Sequence, residues 1–335
     1  MKESISLNGI WHFRLDAAQT GLDEHFEFQS FSDTIELPST IALSQKGTPC
    51  NARETGFLTD PYAMEGFTWY KKSVTLPLSA LDVLDGVHIL LTLERTRISH
   101  VWVDGEKAGT FDSLVAPHEY DLTPYIHSLC PEITIMVSNT GYKVPGGHLT
   151  SPDTQTNWNG ILGDMRLTIQ SGISFKTIDA VSDLANASAV LQVSADNHTD
   201  VEARAALTVS ARSCRLKEAF LQADTSISDL LTQTAPASHT DMKQLLSRIC
   251  QTGDPLPEKT YPLVLTPGST QNTFTYDFTK DVLLWSEYEP NLYLLTLTLT
   301  DEEGNLLDER TIWYGHRDFT ADGDHFSING RRTFL

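Results

Sequence analysis

The stretch Ile98-Ser99-His100-Val101-Trp102-Val103-Asp104-Gly105-Glu106-Lys107-Ala108-Gly109-Thr110-Phe111 decides the fold class. An apolar run, Ile98–Val103, leads into Asp104-Gly105, and a second run returns over 107–111. Asp and Gly both accept the positive φ of a type I′ turn, whose twist suits two paired strands, so the stretch predicts a β-hairpin. The same period of two recurs on either side. Val87, Ile89, Leu91 and Leu93 alternate with their neighbours, and Ile133, Ile135 and Val137 alternate with Thr134 and Met136. Leu295, Leu297 and Leu299 alternate strictly with Thr296, Thr298 and Thr300, which predicts an antiparallel strand with one wet face. Turn dipeptides, Asn8-Gly9, Gly304-Asn305 and Asn329-Gly330, punctuate these runs. Many short strands separated by frequent turns predict an all-β chain built of sandwiches.

A chain of 335 residues holds two or three domains at roughly 150 residues each. The pattern places a first sandwich over 1–173 and a second over 174–316. Strands of the second are expected at 176–182, 189–197, 202–210, 271–277 and 293–300. Residues 214–262 break the pattern and read as an insertion. Met242, Leu245, Leu246 and Ile249 have helical spacing, so a short helix is expected over 241–250, with another over 224–231.

Composition narrows the function. The 24 basic and 44 acidic residues give a net charge of −20, which repels phosphate backbones and anionic membranes. Nucleic acid and membrane surfaces are therefore excluded as partners, whereas a neutral sugar is compatible. No apolar run approaches the ~18 residues needed to span a bilayer. Residues 1–9 hold one lysine and no apolar core of a signal peptide. The expectation is a cytoplasmic protein, or a periplasmic or secreted one if a leader has been removed. Cys50, Cys130, Cys214 and Cys250 form no zinc-type spacing and read as free or buried thiols. An oxidising compartment would allow one disulfide, such as Cys214–Cys250. His118 and His148 have no second histidine at metal-ligand spacing, and no phosphate loop, dinucleotide fingerprint, nucleophile elbow or HExxH is present. No metal and no cofactor is expected.

Six segments together resemble one family. Leu7-Asn8-Gly9-Ile10-Trp11-His12-Phe13 is similar to the opening strand of family 2 glycoside hydrolases. Trp69-Tyr70-Lys71-Lys72-Ser73-Val74-Thr75-Leu76-Pro77 resembles their Trp-Tyr-Arg-Arg segment. Val101-Trp102-Val103-Asp104-Gly105 with Gly109, then Pro117-His118-Glu119-Tyr120-Asp121-Leu122, resembles their Val-x-Val-Asn-Gly stretch and its sequel. Asn159-Gly160-Ile161-Leu162-Gly163-Asp164 is similar to the segment closing their first domain. Leu284-Trp285 with Pro290-Asn291-Leu292-Tyr293 resembles their Leu-Trp…Leu-Tyr signature. Gly315-His316-Arg317-Asp318-Phe319 and Phe326-Ser327-Ile328-Asn329-Gly330 resemble the lead into their catalytic barrel.

The resemblance implies a jelly-roll (galactose-binding-like) sandwich over 1–173, an immunoglobulin-like sandwich over 174–316, and the start of a truncated (β/α)₈ barrel over 317–335. It implies the N-terminal accessory domains of a retaining, exo-acting glycosidase, β-galactosidase-like, whose partners are a neutral glycoside and the chain's own missing barrel. In that family both catalytic glutamates lie in a barrel of about 250 residues. Only 19 residues follow His316 and no Asn-Glu dipeptide occurs, so no catalytic residue is expected here. Isolated, the chain should fold and cleave nothing, with the last ~15 residues poorly ordered or pairing with a neighbour's sheet edge.

Sugar contacts are sought in the polar stretch 141–160. Asp and Asn supply paired hydrogen bonds to hydroxyls, and Trp offers a flat face to C–H surfaces. Asp153, Asn157 and Trp158 are the candidates. The family's Asp-x-x-Asn pattern is broken, because Thr154 stands where the Asp is expected. A second loop offers Tyr62 and Glu65, where Ala63 replaces the asparagine of the β-galactosidase branch; this loop either contacts sugar or braces the barrel. Trp11, Trp69 and Trp102 read as core. Two other readings remain: a free-standing carbohydrate-binding module and a structural tandem sandwich.

Overall fold

The structure is a computed structural model, and it describes residues 2–50, 60–78, 86–143, 150, 157–216, 250–278 and 281–334. It divides into two compact units, 2–170 and 171–335. Both are all-β, the first a jelly-roll sandwich and the second an immunoglobulin-like one.

In the first unit one sheet has the order β1 (Lys2–Ser6), β14 (Met165–Ser171), β8 (Val87–Leu93), β11 (His118–Asp121). The other has the order β10 (Glu106–Phe111), β9 (Ile98–Val103), β12 (Glu132–Ser138), β7 (Phe67–Ser73), β2 (Gly9–Asp16), β3 (Asp33–Leu37). Two short pairs sit beside them, β4 (Ser39–Thr40) with β13 (Gly160–Ile161), and β5 (Thr48–Pro49) with β6 (Tyr62–Ala63). The predicted hairpin is there: β9 and β10 pair antiparallel across Asp104 (φ 49°) and Gly105 (φ 84°).

Between the sheets lies a core that includes Trp11, Phe13, Tyr70, Ile89, Leu91, Val101, Ile133 and Ile135. Each fully buried aliphatic or aromatic side chain of this kind stabilises by roughly 1.5–3 kcal/mol. The six-stranded sheet is also covered outside. Phe26, Phe31, Trp69, Trp102 and Met136 form a second cluster on its far face, with Trp69 and Trp102 stacked at 5.2 Å. Period two therefore fails in β12, whose residues 133–138 are all buried. Trp11, Trp69 and Trp102 are core residues, as expected.

The second unit packs β15 (Ile173–Asp183), β16 (Ser188–Asn197) and β20 (Gly268–Asp277) against β18 (Cys250–Pro255), β17 (Ala203–Leu216), β21 (Leu292–Asp301) and β22 (Leu306–Tyr314), with β19 (Lys259–Leu265) also pairing with β17. Leu295, Leu297 and Leu299 are buried, while Thr296, Thr298 and Thr300 sit half-exposed on the other face. The five strands expected in this unit are observed as β15, β16, β17, β20 and β21. The helices expected at 224–231 and 241–250 lie outside the described residues, except that Cys250 opens strand β18.

The C-terminal stretch forms a meander, β23 (Phe319–Asp322), β24 (His325–Ile328) and β25 (Arg331–Thr333). The sequence predicts poor order or pairing with a neighbour's sheet edge for these last residues. Instead, Asn329 Nδ2 donates to the Trp285 carbonyl at 3.0 Å, Thr333 Oγ1 donates to Glu287 at 3.0 Å, and Arg331 lies 4.3 Å from the Tyr288 ring centroid. The segment 285–291 thus supplies the partner surface.

Candidate functional site

One end of the first unit gathers three loops around three asparagines. Asn139 follows β12 and is 1% exposed. Its Oδ1 accepts the Gly66 N–H at 3.0 Å, and its Nδ2 donates to the carbonyls of Met64 and Asn157, both at 2.8 Å. Asn159 is equally buried; its Oδ1 accepts the Thr68 hydroxyl at 2.7 Å and its Nδ2 donates to the Gly66 carbonyl at 3.1 Å. Asn157 returns the contact, donating through Nδ2 to the Asn139 carbonyl at 2.9 Å and accepting the Tyr142 hydroxyl on Oδ1 at 3.0 Å. A buried polar group left without a partner costs roughly 1–3 kcal/mol, so these amides fix the loops to one another. Gly160 next in the chain has φ 139°, and a Cβ there would meet the Ser39 carbonyl oxygen at 2.4 Å. The backbone therefore approaches β4 as only glycine allows.

Trp158 sits between Asn157 and Asn159 and is half-buried. The Arg97 guanidinium lies 4.1 Å from its ring centroid, and Arg97 Nε donates to the Trp158 carbonyl at 3.1 Å. Arg97 is itself 2% exposed, and burial pulls its pKa below the ordinary arginine value. A desolvated cation on an indole face is worth about 2 kcal/mol, which holds the ring orientation. Tyr142 lies on the other flank, 5.8 Å from the same guanidinium. Burial raises its hydroxyl pKa, Arg97 opposes and Glu65 adds to the rise, so the phenol stays a neutral donor.

A pocket of about 550 Å³ opens beside Trp158. Glu94, Arg95 and Thr96 give it polar groups, while Leu114, Val115 and Pro117 give it apolar surface. Its size falls within the roughly 300–1,000 Å³ of clefts that hold small molecules. The wall is braced by hydrogen bonds between the segments 94–96 and 160–164: Leu162 N to the Arg95 carbonyl at 2.8 Å, Thr96 Oγ1 to the Gly160 carbonyl at 2.9 Å, and Asp164 N to Glu94 Oε2 at 2.9 Å. Polar groups on a fixed frame beside an aromatic face can hold a sugar by hydroxyl hydrogen bonds and C–H stacking.

Another pair invites comparison with a hydrolase. Ser99 Oγ lies 2.6 Å from His118 Nδ1, the spacing of a nucleophile and its base. Ser99 is 0% exposed, however, and also contacts the Tyr120 hydroxyl at 2.7 Å. His118 Nε2 is held on the Ser113 carbonyl at 2.7 Å, and burial lowers the imidazole's pKa. A serine that no substrate can reach is a core residue, and His118 is a satisfied neutral imidazole.

The sequence of residues 5–170 matches the family described as "Glycosyl hydrolases family 2, sugar binding domain". Through its first unit, the chain belongs to glycosyl hydrolase family 2. Over its whole length it is 21% identical to a beta-glucuronidase of Paenibacillus borealis, spanning 48% of that protein. Over 98% of its length it is 24% identical to a beta-galactosidase of Priestia megaterium, spanning 29% of that one. The fold is that of the crystal structure of Bacteroides uniformis beta-glucuronidase, with a TM-score of 0.64 at 19% identity over 99% of this chain and 34% of that one. The chain thus spans less than half the length of these relatives, and what it shares with family 2 is the N-terminal, sugar-binding, accessory region.

Of the expected contacts, the structure brings Asn157 and Trp158 together within this family 2 domain. Among the described residues, the Asn157 side chain uses one N–H and one lone pair on bracing and keeps one of each. Asp153 lies outside the described residues. Tyr62 is half-buried in β6, paired with Pro49 of β5, and Glu65 is exposed. The Met64 and Gly66 backbones on either side of Glu65 are held by Asn139. Sequence reasoning passed over Arg97 and Asn139. Each stands at the end of an apolar strand run, where a buried polar residue is the available signal.

Proposed function

We propose that the chain is the non-catalytic N-terminal part of a retaining, exo-acting, β-galactosidase-like family 2 glycosidase, and that the loop bearing Asn157 and Trp158 contributes to binding a neutral glycoside. The domains read as 1–173 jelly roll, 174–316 immunoglobulin-like sandwich and 317–335 the start of the barrel. The observation that carries this is the asparagine-pinned loop that presents Trp158 beside a pocket, in a chain that matches the accessory region of its relatives. Asp153, Asn157 and Trp158 act as contacts; Glu65 and Tyr62 belong to a loop that braces the missing barrel. Two carboxylates about 5–5.5 Å apart, which retaining hydrolysis needs, are to come from that barrel.

The test is an assay of aryl β-galactoside and aryl β-glucuronide hydrolysis. The 335-residue chain is expected to show no turnover, and the gene product extended by a barrel of about 250 residues is expected to hydrolyse the galactoside and not the anionic glucuronide. Turnover by the shorter chain overturns the proposal.

A further inference from the structure

Strands β17 and β18 pair antiparallel, with Cys214 opposite Thr252 and Leu216 opposite Cys250. Residues two apart on a strand share a face, so Cys214 and Cys250 are diagonal neighbours on one face of adjacent strands. Leu207, Val209 and Ala211 belong to the core, and Cys214 is itself 2% exposed while Arg212 and Arg215 on either side are exposed. The register shifts between Arg212 and Cys214, a bulge that adds twist at this point. The two thiols are close enough to share a hydrogen bond. Both are present as free thiols in the structure, Cys214 buried and Cys250 half-buried.

We propose that Cys214 and Cys250 are a disulfide pair, closed by a disulfide oxidant such as glutathione disulfide, that cross-links β17 to β18. The bond clamps the two strands from which residues 217–249 depart. Accessibility sets the order of steps. The half-buried Cys250, as thiolate, attacks one sulfur of glutathione disulfide, forming a mixed disulfide and releasing one glutathione thiolate. Cys214 then loses its proton to solvent and attacks the Cys250 sulfur, which releases the second glutathione. Two protein thiols are oxidised and one glutathione disulfide is reduced to two glutathiones. Burial and the neighbouring thiol push the Cys214 pKa up to about 12, so Cys214 is the resolving rather than the initiating thiol. Cys130, exposed in the first unit, is the internal control.

The experiment incubates the whole chain with glutathione disulfide, alkylates the remaining thiols, digests without reduction and identifies peptides by mass spectrometry. The expected result is a cross-linked Cys214–Cys250 peptide with Cys50 and Cys130 alkylated. Closing a loop of this length should raise the Tm of the second unit by roughly 5–15 °C, and Cys250→Ser should abolish that rise. Alkylation of both Cys214 and Cys250 after oxidation, a stable glutathione adduct on Cys250, or a cross-link using Cys50 or Cys130 overturns the proposal. The peptide map uses the unmutated chain, so a variant that fails to fold does not leave the question open.

Discussion

The two sandwiches solve burial differently. In the second unit, β21 keeps one face dry and one wet: Leu295, Leu297 and Leu299 are fully buried, while Thr296 meets Thr311 across the strands at 3.1 Å on the other face. In the first unit, β7, β9 and β12 are buried on both faces, Tyr70 and Val101 toward the sandwich core and Trp69 and Trp102 toward an outer aromatic cluster. The outer cover is the segment holding Phe26 and Phe31, which Asp16 anchors by accepting the Gly21 N–H at 2.8 Å and the Trp69 indole N–H at 3.2 Å. The asparagine network at one end of the first unit joins the loops around Gly66 and Asn157 to the end of β12.

That contrast can be broken by substitution. Trp69→Ala should cost the first unit about 3–5 kcal/mol, because it opens a cavity in the outer cluster. Thr298→Val, on the wet face of β21, should stay within about 0.5 kcal/mol. Urea unfolding followed by near-ultraviolet circular dichroism reads both, and equal losses would show that the two sheets are not covered differently. Asn139→Ala comes next in size. It leaves the Gly66 N–H and the Met64 and Asn157 carbonyls without their partner, for a loss of roughly 2–4 kcal/mol. Hydrogen exchange should then speed up at Gly66 and across 157–159 while β15 and β16 keep their protection. Unchanged exchange at those amides would mean that the network does not pin the loops.

Period two found five strands of the second unit, and the Leu-Thr alternation of β21 states its dry face directly, but it missed β22 and read 214–262 as an insertion although β18 and most of β19 lie there as strands of the sheet. It also found the β9–β10 hairpin, because Asp104-Gly105 is local chemistry. It could not find the outer aromatic cluster of the first unit. Phe26 and Phe31 lie in a segment without periodicity, and their burial depends on Trp69 and Trp102, 38 to 76 residues away in sequence. The site was half legible. Asn157 and Trp158 stood out as polar and aromatic residues in a long loop, whereas the roles of Asn139 and Arg97 depend on contacts between loops far apart in the chain. The packing of 319–334 on 285–291 was hidden for the same reason.

A sugar site built on the pinned loop, as proposed, includes Trp158. The most direct measurement is a titration of the ¹⁵N-labelled chain with galactose, following the Trp158 indole N–H, assigned by its loss in Trp158→Phe. Saturable shifts of that resonance, with a millimolar Kd and with Trp11 and Trp69 unmoved, are the predicted result. A Trp158 signal that stays fixed at saturating sugar, or one that moves only together with the buried indoles, would contradict it.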